Sequence, residues 1–251
     1  MSTYTIFNDD CLDALKGIPN NSIDLVVCDP PYGVTSIKWD QIIPFQPLWM
    51  ELNRITKSNA PIILFSSGLF TIDLIDSNRS MFKYKWIWEK NVPTGMSSAK
   101  FRPMKYYEEI CVFAKGKHTY NPILKPRVGV GKDCYNYDHY CGKNNHVEVG
   151  KKKIKYDPDW VQPSDIIKFN VVPNRKGKLH STQKPVALLE FLIKTYTHEG
   201  ETVLDNTMGS GSTGVACLNT HRNFIGIELN TDIFNIAKVR LDKHYEQLQR
   251  L

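Results

Sequence analysis

The sequence predicts a Rossmann-like α/β domain, a mostly parallel central sheet with helices on both faces. Short apolar runs such as Leu25-Val26-Val27 and Pro61-Ile62-Ile63-Leu64-Phe65 read as buried strands. Stretches of helical spacing separate them, as at Leu48, Leu52 and Ile55. Acids stand where strands stop, at Asp29, Asp205 and Glu228. Open α/β sheets bind ligands beyond the carboxyl ends of their strands, so chemistry is expected at these positions.

In chain order, Tyr4-Thr5-Ile6-Phe7 reads as a strand stopped by Asn8-Asp9-Asp10, and Cys11 to Lys16 as a brief helix. Pro19-Asn20-Asn21-Ser22 turns into a strand over residues 23–27. A polar loop over 33–41 carries Lys38, Trp39 and Asp40, and 44–57 reads as a helix. After the strand at 61–65, Ser66-Ser67-Gly68 is its exit, and 82–88 and 109–114 are further strands rich in β-formers. Order resumes with a helix opened by Pro185 and capped by Ser181 or Thr182, lined by Leu188, Leu192 and Tyr196. A strand at 202–205, a glycine loop, a helix through Val215, Ala216 and Leu218, and a strand at 223–228 follow. The closing helix over 231–251 is expected to turn Ile233, Ile236 and Val239 inward.

At 251 residues the chain fits one catalytic domain over 1–251, with 115–178 as an insertion. The net charge of +6 is concentrated there: residues 115–178 hold 14 Lys and Arg against 6 Asp and Glu. A like-signed cluster on a near-neutral body suits a polyanion, although a lone charge run also forms plain solvated loops. Within it, 115–164 has little apolar periodicity, five tyrosines and the run Lys151-Lys152-Lys153. Basic residues interleaved with aromatics favour a nucleic-acid surface over an inert linker. Cys134, His139, Cys141 and His146 are grouped here, but the spacing C-x4-H-x-C-x4-H fits no familiar zinc pattern, so no metal is expected. The six cysteines form no C-x-x-C pair and read as reduced thiols of a cytoplasmic protein. Residues 1–10 lack a signal-peptide pattern, and no apolar run approaches the ~18 residues of a membrane span.

The stretch Asp29-Pro30-Pro31-Tyr32 ends its strand abruptly, because proline has no N–H to continue a ladder. The turn offers only acceptors, a carboxylate and carbonyl oxygens, beside one aromatic ring. Such a cluster suits an exocyclic amine that donates two hydrogen bonds, with its flat ring stacked on Tyr32. An Asp-Pro turn with a core tyrosine is the plainer alternative. Gly209-x-Gly211-x-x-Gly214 literally matches the dinucleotide fingerprint, with Glu228 near the ribose-acid distance. Asp205 and three further residues precede the first glycine, however, and Val215-Ala216 stand where a phosphate loop needs Lys and Ser/Thr. A third reading is a turn for adenosine with an amino-acid tail, in which Glu228 binds the ribose hydroxyls.

Asp29-Pro30-Pro31-Tyr32, paired with Val203-Leu204-Asp205-x-x-Met208-Gly209-Ser210-Gly211, resembles the S-adenosylmethionine-dependent amino-DNA methyltransferases. His180-Ser181-Thr182-Gln183-Lys184-Pro185 looks like that family's third block, and the motif order matches its β group. The likeness runs from Asp10 to the last helix. It implies the family's methyltransferase fold, with the Asp29 and Asp205 loops side by side, and S-adenosylmethionine as cofactor. Catalysis would fall to Asp29, Pro30, Pro31 and Tyr32. The cofactor would meet Asp10, Cys11, Asp29, Thr182, Lys184, Asp205, Thr207, Gly209, Ser210, Gly211, Ser212 and Glu228. DNA contacts are expected from Lys38, Trp39 and Lys151, Lys152 and Lys153. Two departures stand out: Asp205-Asn206-Thr207 replaces the usual Asp-Pro-Phe, removing a ring near the cofactor, and Ser181 replaces proline.

The reaction expected is methyl transfer to adenine N6 in DNA. The family more often has Ser in place of Asp29 when cytosine N4 is the target. A DNA-binding protein without turnover is the reading from another class. DNA is the expected partner, with its target base turned out of the duplex. A homodimer is compatible with this, and no membrane is involved.

Overall fold

In this computed structural model, residues 2–34, 40–126, 159–173 and 183–250 are described. The elements, in chain order, are β1 (Tyr4–Phe7), α1 (Cys11–Lys16), β2 (Leu25–Cys28), α2 (Phe45–Ile55), β3 (Pro61–Ser66), α3 (Leu69–Ser77), β4 (Phe82–Thr94) and β5 (Lys105–Ala114). They continue with β6 (Lys125–Pro126), β7 (Trp160–Val161), β8 (Ile166–Lys168), α4 (Val186–Tyr196), β9 (Thr202–Asp205), α5 (Ser212–Asn219), β10 (Asn223–Ile227) and α6 (Thr231–Gln249).

Eight strands form one sheet in the order β1-β10-β9-β2-β3-β5-β4-β8. The first five are mutually parallel, and β5 runs against both β3 and β4. Since β8 is parallel to β4, only β5 is reversed. The sheet is therefore mostly parallel, as expected. Alternation along each strand divides the interior into two cores. On β2, Leu25 and Val27 join one, with Leu188 of α4, Ala216 of α5 and Leu241 of α6. Val26 and Cys28 join the other, with Leu15 of α1, Leu52 of α2 and Leu74 of α3. Helices thus cover both faces.

The chain divides into two compact units, residues 1–121 with 165–251, and residues 122–164. The described part of the second is a two-stranded antiparallel ribbon of β6 and β7. No described helix is long and apolar enough to cross a membrane.

Three local expectations are corrected, and one helix was not foreseen. The second strand starts at Leu25, because Ile23 makes only an isolated bridge to Thr56. Helix α3 carries apolar residues on both faces, Phe70 and Leu74 buried but Leu69 and Ile72 exposed, so no stripe announced it. Strands β4 and β5 extend as far as Thr94 and back from Lys105, well past the expected bounds. On α6, Ile236 and Val239 face outward, while Ala237 and Leu241 are buried with Phe234, Tyr245 and Leu248 against the core. That second stripe persists along the helix; the one through Ile233 runs out at Arg240 and Lys243.

Candidate active site

The neighbours β2 and β9 bring the Asp29 turn beside the Asp205 loop, and Thr207 links them. Its hydroxyl donates to the Asp29 carbonyl at 3.0 Å and lies 2.9 Å from the Cys28 thiol. Thr207, the departure from the usual aromatic, thus fastens the glycine loop to the Asp29 turn.

Pro30 and Pro31 have no N–H, so the first donors after the strand are those of Tyr32, Gly33 and Val34. All three point at the buried Asp40 carboxylate, at 2.8, 2.8 and 2.9 Å. Asp40 therefore fixes the turn's exit, a role that has no signature in the sequence. Gly33 has φ +67°, and a Cβ there would meet Ile42 at 2.9 Å. The Tyr32 hydroxyl donates to Asp29 Oδ1 at 2.7 Å, and its ring stacks on Phe70 at 5.0 Å. Burial, then the Asp29 charge, pushes the phenol well above its ordinary range, so it stays a donor.

The other Asp29 oxygen accepts from Lys184, just ahead of α4. Lys184 also lies 3.5 Å from Glu108 on β5 and 5.0 Å from the centre of the Phe65 ring. Glu108 in turn accepts from Lys90 on β4 at 3.1 Å. A chain of alternating charge thus runs Asp29–Lys184–Glu108–Lys90. Burial lowers the Lys184 pKa, but Asp29 and Glu108 outweigh it and hold the ammonium charged. For Glu108, burial is outweighed by Lys184 and Lys90, which keep the carboxyl below its usual range. Lys184, one of the residues expected at the cofactor, thus sits on the Asp29 carboxylate.

Asp205 is buried at the end of β9. Its oxygens accept from the Thr207 N–H at 3.1 Å and the Thr213 hydroxyl at 2.5 Å. Burial raises its pKa to about 7; the two hydrogen bonds oppose the rise, and the Asp29 and Glu228 charges add to it. Glu228, half-buried just after β10, accepts from the Gly209 N–H at 3.0 Å and the Asn230 N–H at 2.8 Å. Gly209 has φ +52° with open space where a Cβ would stand. Gly211 caps α5 at φ +76°. Arg240 on α6 donates to the Ser210 carbonyl and the Ser212 hydroxyl, and both serines are buried, so they brace the loop from within. Asp10 caps α1 through the Leu12 N–H at 2.8 Å, and Cys11 is buried behind it.

Thr182, Lys38, Trp39, Lys151, Lys152 and Lys153 lie outside the described residues, as do Cys134, His139, Cys141 and His146. Among the described residues, no group of His, Cys, Asp and Glu is placed to hold a metal ion.

An acceptor-only turn is thus fastened to a glycine loop with two strand-end acids beside it. The chain belongs to the DNA methylase family of N6 and N4 methyltransferases, whose pattern matches residues 23–239. Among its relatives, the type II methyltransferase M.HpaI of Haemophilus parainfluenzae is 28% identical, over 94% of this chain and 73% of that one. M1.MboII of Moraxella bovis is 28% identical over 93% and 95%. The solved M1.HpyAVI–SAM complex superposes with a TM-score of 0.62 at 27% identity, covering 95% of this chain and all of that one. The cytosine-N4-specific PvuII DNA methyltransferase shares the fold, with a TM-score of 0.67 at 15% identity over all of this chain and 93% of that one.

Proposed function

We propose that this DNA methyltransferase transfers a methyl group from S-adenosylmethionine to the N6 amine of adenine, with Asp29 as the principal acceptor. The observation that carries the reading is the fixed Asp29 carboxylate, joined through Thr207 to the glycine loop. The residues present suit the cofactor: Asp10, Asp205 and Glu228 offer carboxylates to a cationic, hydroxyl-bearing molecule, and Gly209 leaves its flank open. When bound, S-adenosylmethionine supplies an electrophilic methyl. Glu228 would hold its ribose, and Asp205 its cationic part.

Adenine N6 is a poor nucleophile because its lone pair is delocalised into the ring. Asp29 and the Pro30 carbonyl accept its two hydrogens, which lets the nitrogen pyramidalise and aim its lone pair at the methyl. Tyr32 and Lys184 each take one lone pair of Asp29, and each oxygen keeps another for the substrate. Held before reaction, these acceptors meet positive charge as it develops on nitrogen. Placement in line supplies the proximity contribution. One face of the Tyr32 ring rests on Phe70, and the other receives the base.

Cytosine N4 offers the same two hydrogens, and the cytosine-N4-specific enzyme shares this fold, so the base is the point to test. DNA methylated with isotope-labelled cofactor should yield label in N6-methyladenine on nucleoside digestion. Label in N4-methylcytosine would assign the other base, and no label would support a binding protein without turnover.

A further inference from the structure

Among the described residues, the hairpin tip between β4 and β5 carries the most exposed large apolar side chain, Phe101. Because β4 runs parallel to β2, its carboxyl end lies at the edge that carries Asp29. The base of the hairpin is tied into the site. Glu108 pairs with both Lys184 and Lys90, and the Lys105 ammonium donates to Ser67, just after β3, at 2.7 Å. Three residues from Glu108 to Lys105 carry the strand about 10 Å further, at ~3.3 Å per residue. The tip beyond is held by its own backbone. Ala99 bonds to Met96 at 3.2 Å, and Phe101 and Arg102 bond to Ser98 at 2.9 and 3.1 Å.

Phe101 stands at the end of this knob, 89% exposed, with Met96 at 74%. Lys100 and Arg102 flank the ring and are exposed, and residues 95–107 contain no carboxylate. An apolar ring between two cations fits a polyanion with an apolar interior, and a stacked duplex is one. A base that must leave its stack to reach Asp29 leaves a gap. Minor-groove proteins show that an apolar side chain such as Phe can be inserted between stacked bases.

We infer that Phe101 enters the gap left by the departing base while Lys100 and Arg102 hold the adjoining phosphates. The inference rests on DNA being the substrate and adds the residue that keeps the target base out of the stack. Lys105, occupied with Ser67 and the Tyr107 ring, braces the hairpin instead of meeting phosphate.

The test uses Phe101→Ala, Phe101→Trp and the wild type on a short duplex carrying the mapped methylation site. A second duplex has an abasic position opposite the target, so that the base is already unpaired. Phe101→Ala should lower kcat/KM on the paired duplex by about 10- to 100-fold. It should keep near wild-type rates on the unpaired one, with Phe101→Trp restoring the first. Cofactor affinity and thermal melting should not change. Equal loss on both duplexes would make the ring merely structural and overturn the wedge, as would no loss on either. A wild-type dimer that Phe101→Ala dissociates in sedimentation, with duplex activity intact, would assign the tip to a second copy of the chain and overturn it too. Absence of methylation of either duplex by the wild type would instead strike the proposed function.

Discussion

Asp205 shows how burial tunes an acid at a strand end. Asp205 binds its proton more tightly in the folded chain, with a pKa of about 7 against the carboxylate value of 3.8. The folded state therefore holds more protons than the unfolded between those values, and stability falls as pH rises from about 4 to about 7. Urea unfolding across that range should show the decline in the wild type and a flatter profile in Asp205→Asn. Parallel profiles would refute the assignment. Glu228→Ala should weaken S-adenosylmethionine by about 1.5–3 kcal/mol in calorimetry, the range for a hydrogen bond to a charged group. Unchanged binding would remove Glu228 from the ribose. The turn after β2 was legible because Asp-Pro-Pro-Tyr is contiguous. Asp40 was not, since its partners are backbone N–H groups freed only by the shape of the turn.

At the scale of elements, β4 and β5 hold the Asp29 carboxylate indirectly. Lys90 is 4% exposed, and its partner Glu108 lies opposite Trp88, two residues back along β4. Removing one partner of a buried pair leaves a charge uncompensated, so Lys90→Met should destabilise the fold by on the order of 3 kcal/mol. A loss under about 0.5 kcal/mol, typical of surface changes, would show that the pair contributes little. The chain of charge was invisible in the sequence because its members come from four separate segments, joined by sheet register and by the approach of α4. Strands β1 and β9 and helix α1 were legible to the residue, each bounded by a sharp change from apolar to polar. The α6 face was misread because two apolar stripes begin together near its start and only one persists.

At the scale of the molecule, charge is divided between a near-neutral sheet domain and a basic segment over 115–178. If Lys151, Lys152 and Lys153 meet phosphates, neutralising all three lowers affinity for every DNA sequence alike. Each phosphate left without its lysine should flatten the slope of log K against log salt by about 0.9, while cofactor binding stays unchanged. An unchanged slope would make the run a solvated loop and shift recognition towards Lys38, Trp39 and the 95–104 hairpin. The central claim is that Asp29, fixed by Tyr32 and Lys184, accepts the amine hydrogens of a DNA base. Its most direct test is single-turnover methylation of DNA by Asp29→Ala with S-adenosylmethionine saturating. Loss of one preorganised acceptor predicts a rate lower by about 10² to 10³ or more, with fold and much of the DNA affinity kept. Turnover near that of the wild type would contradict it.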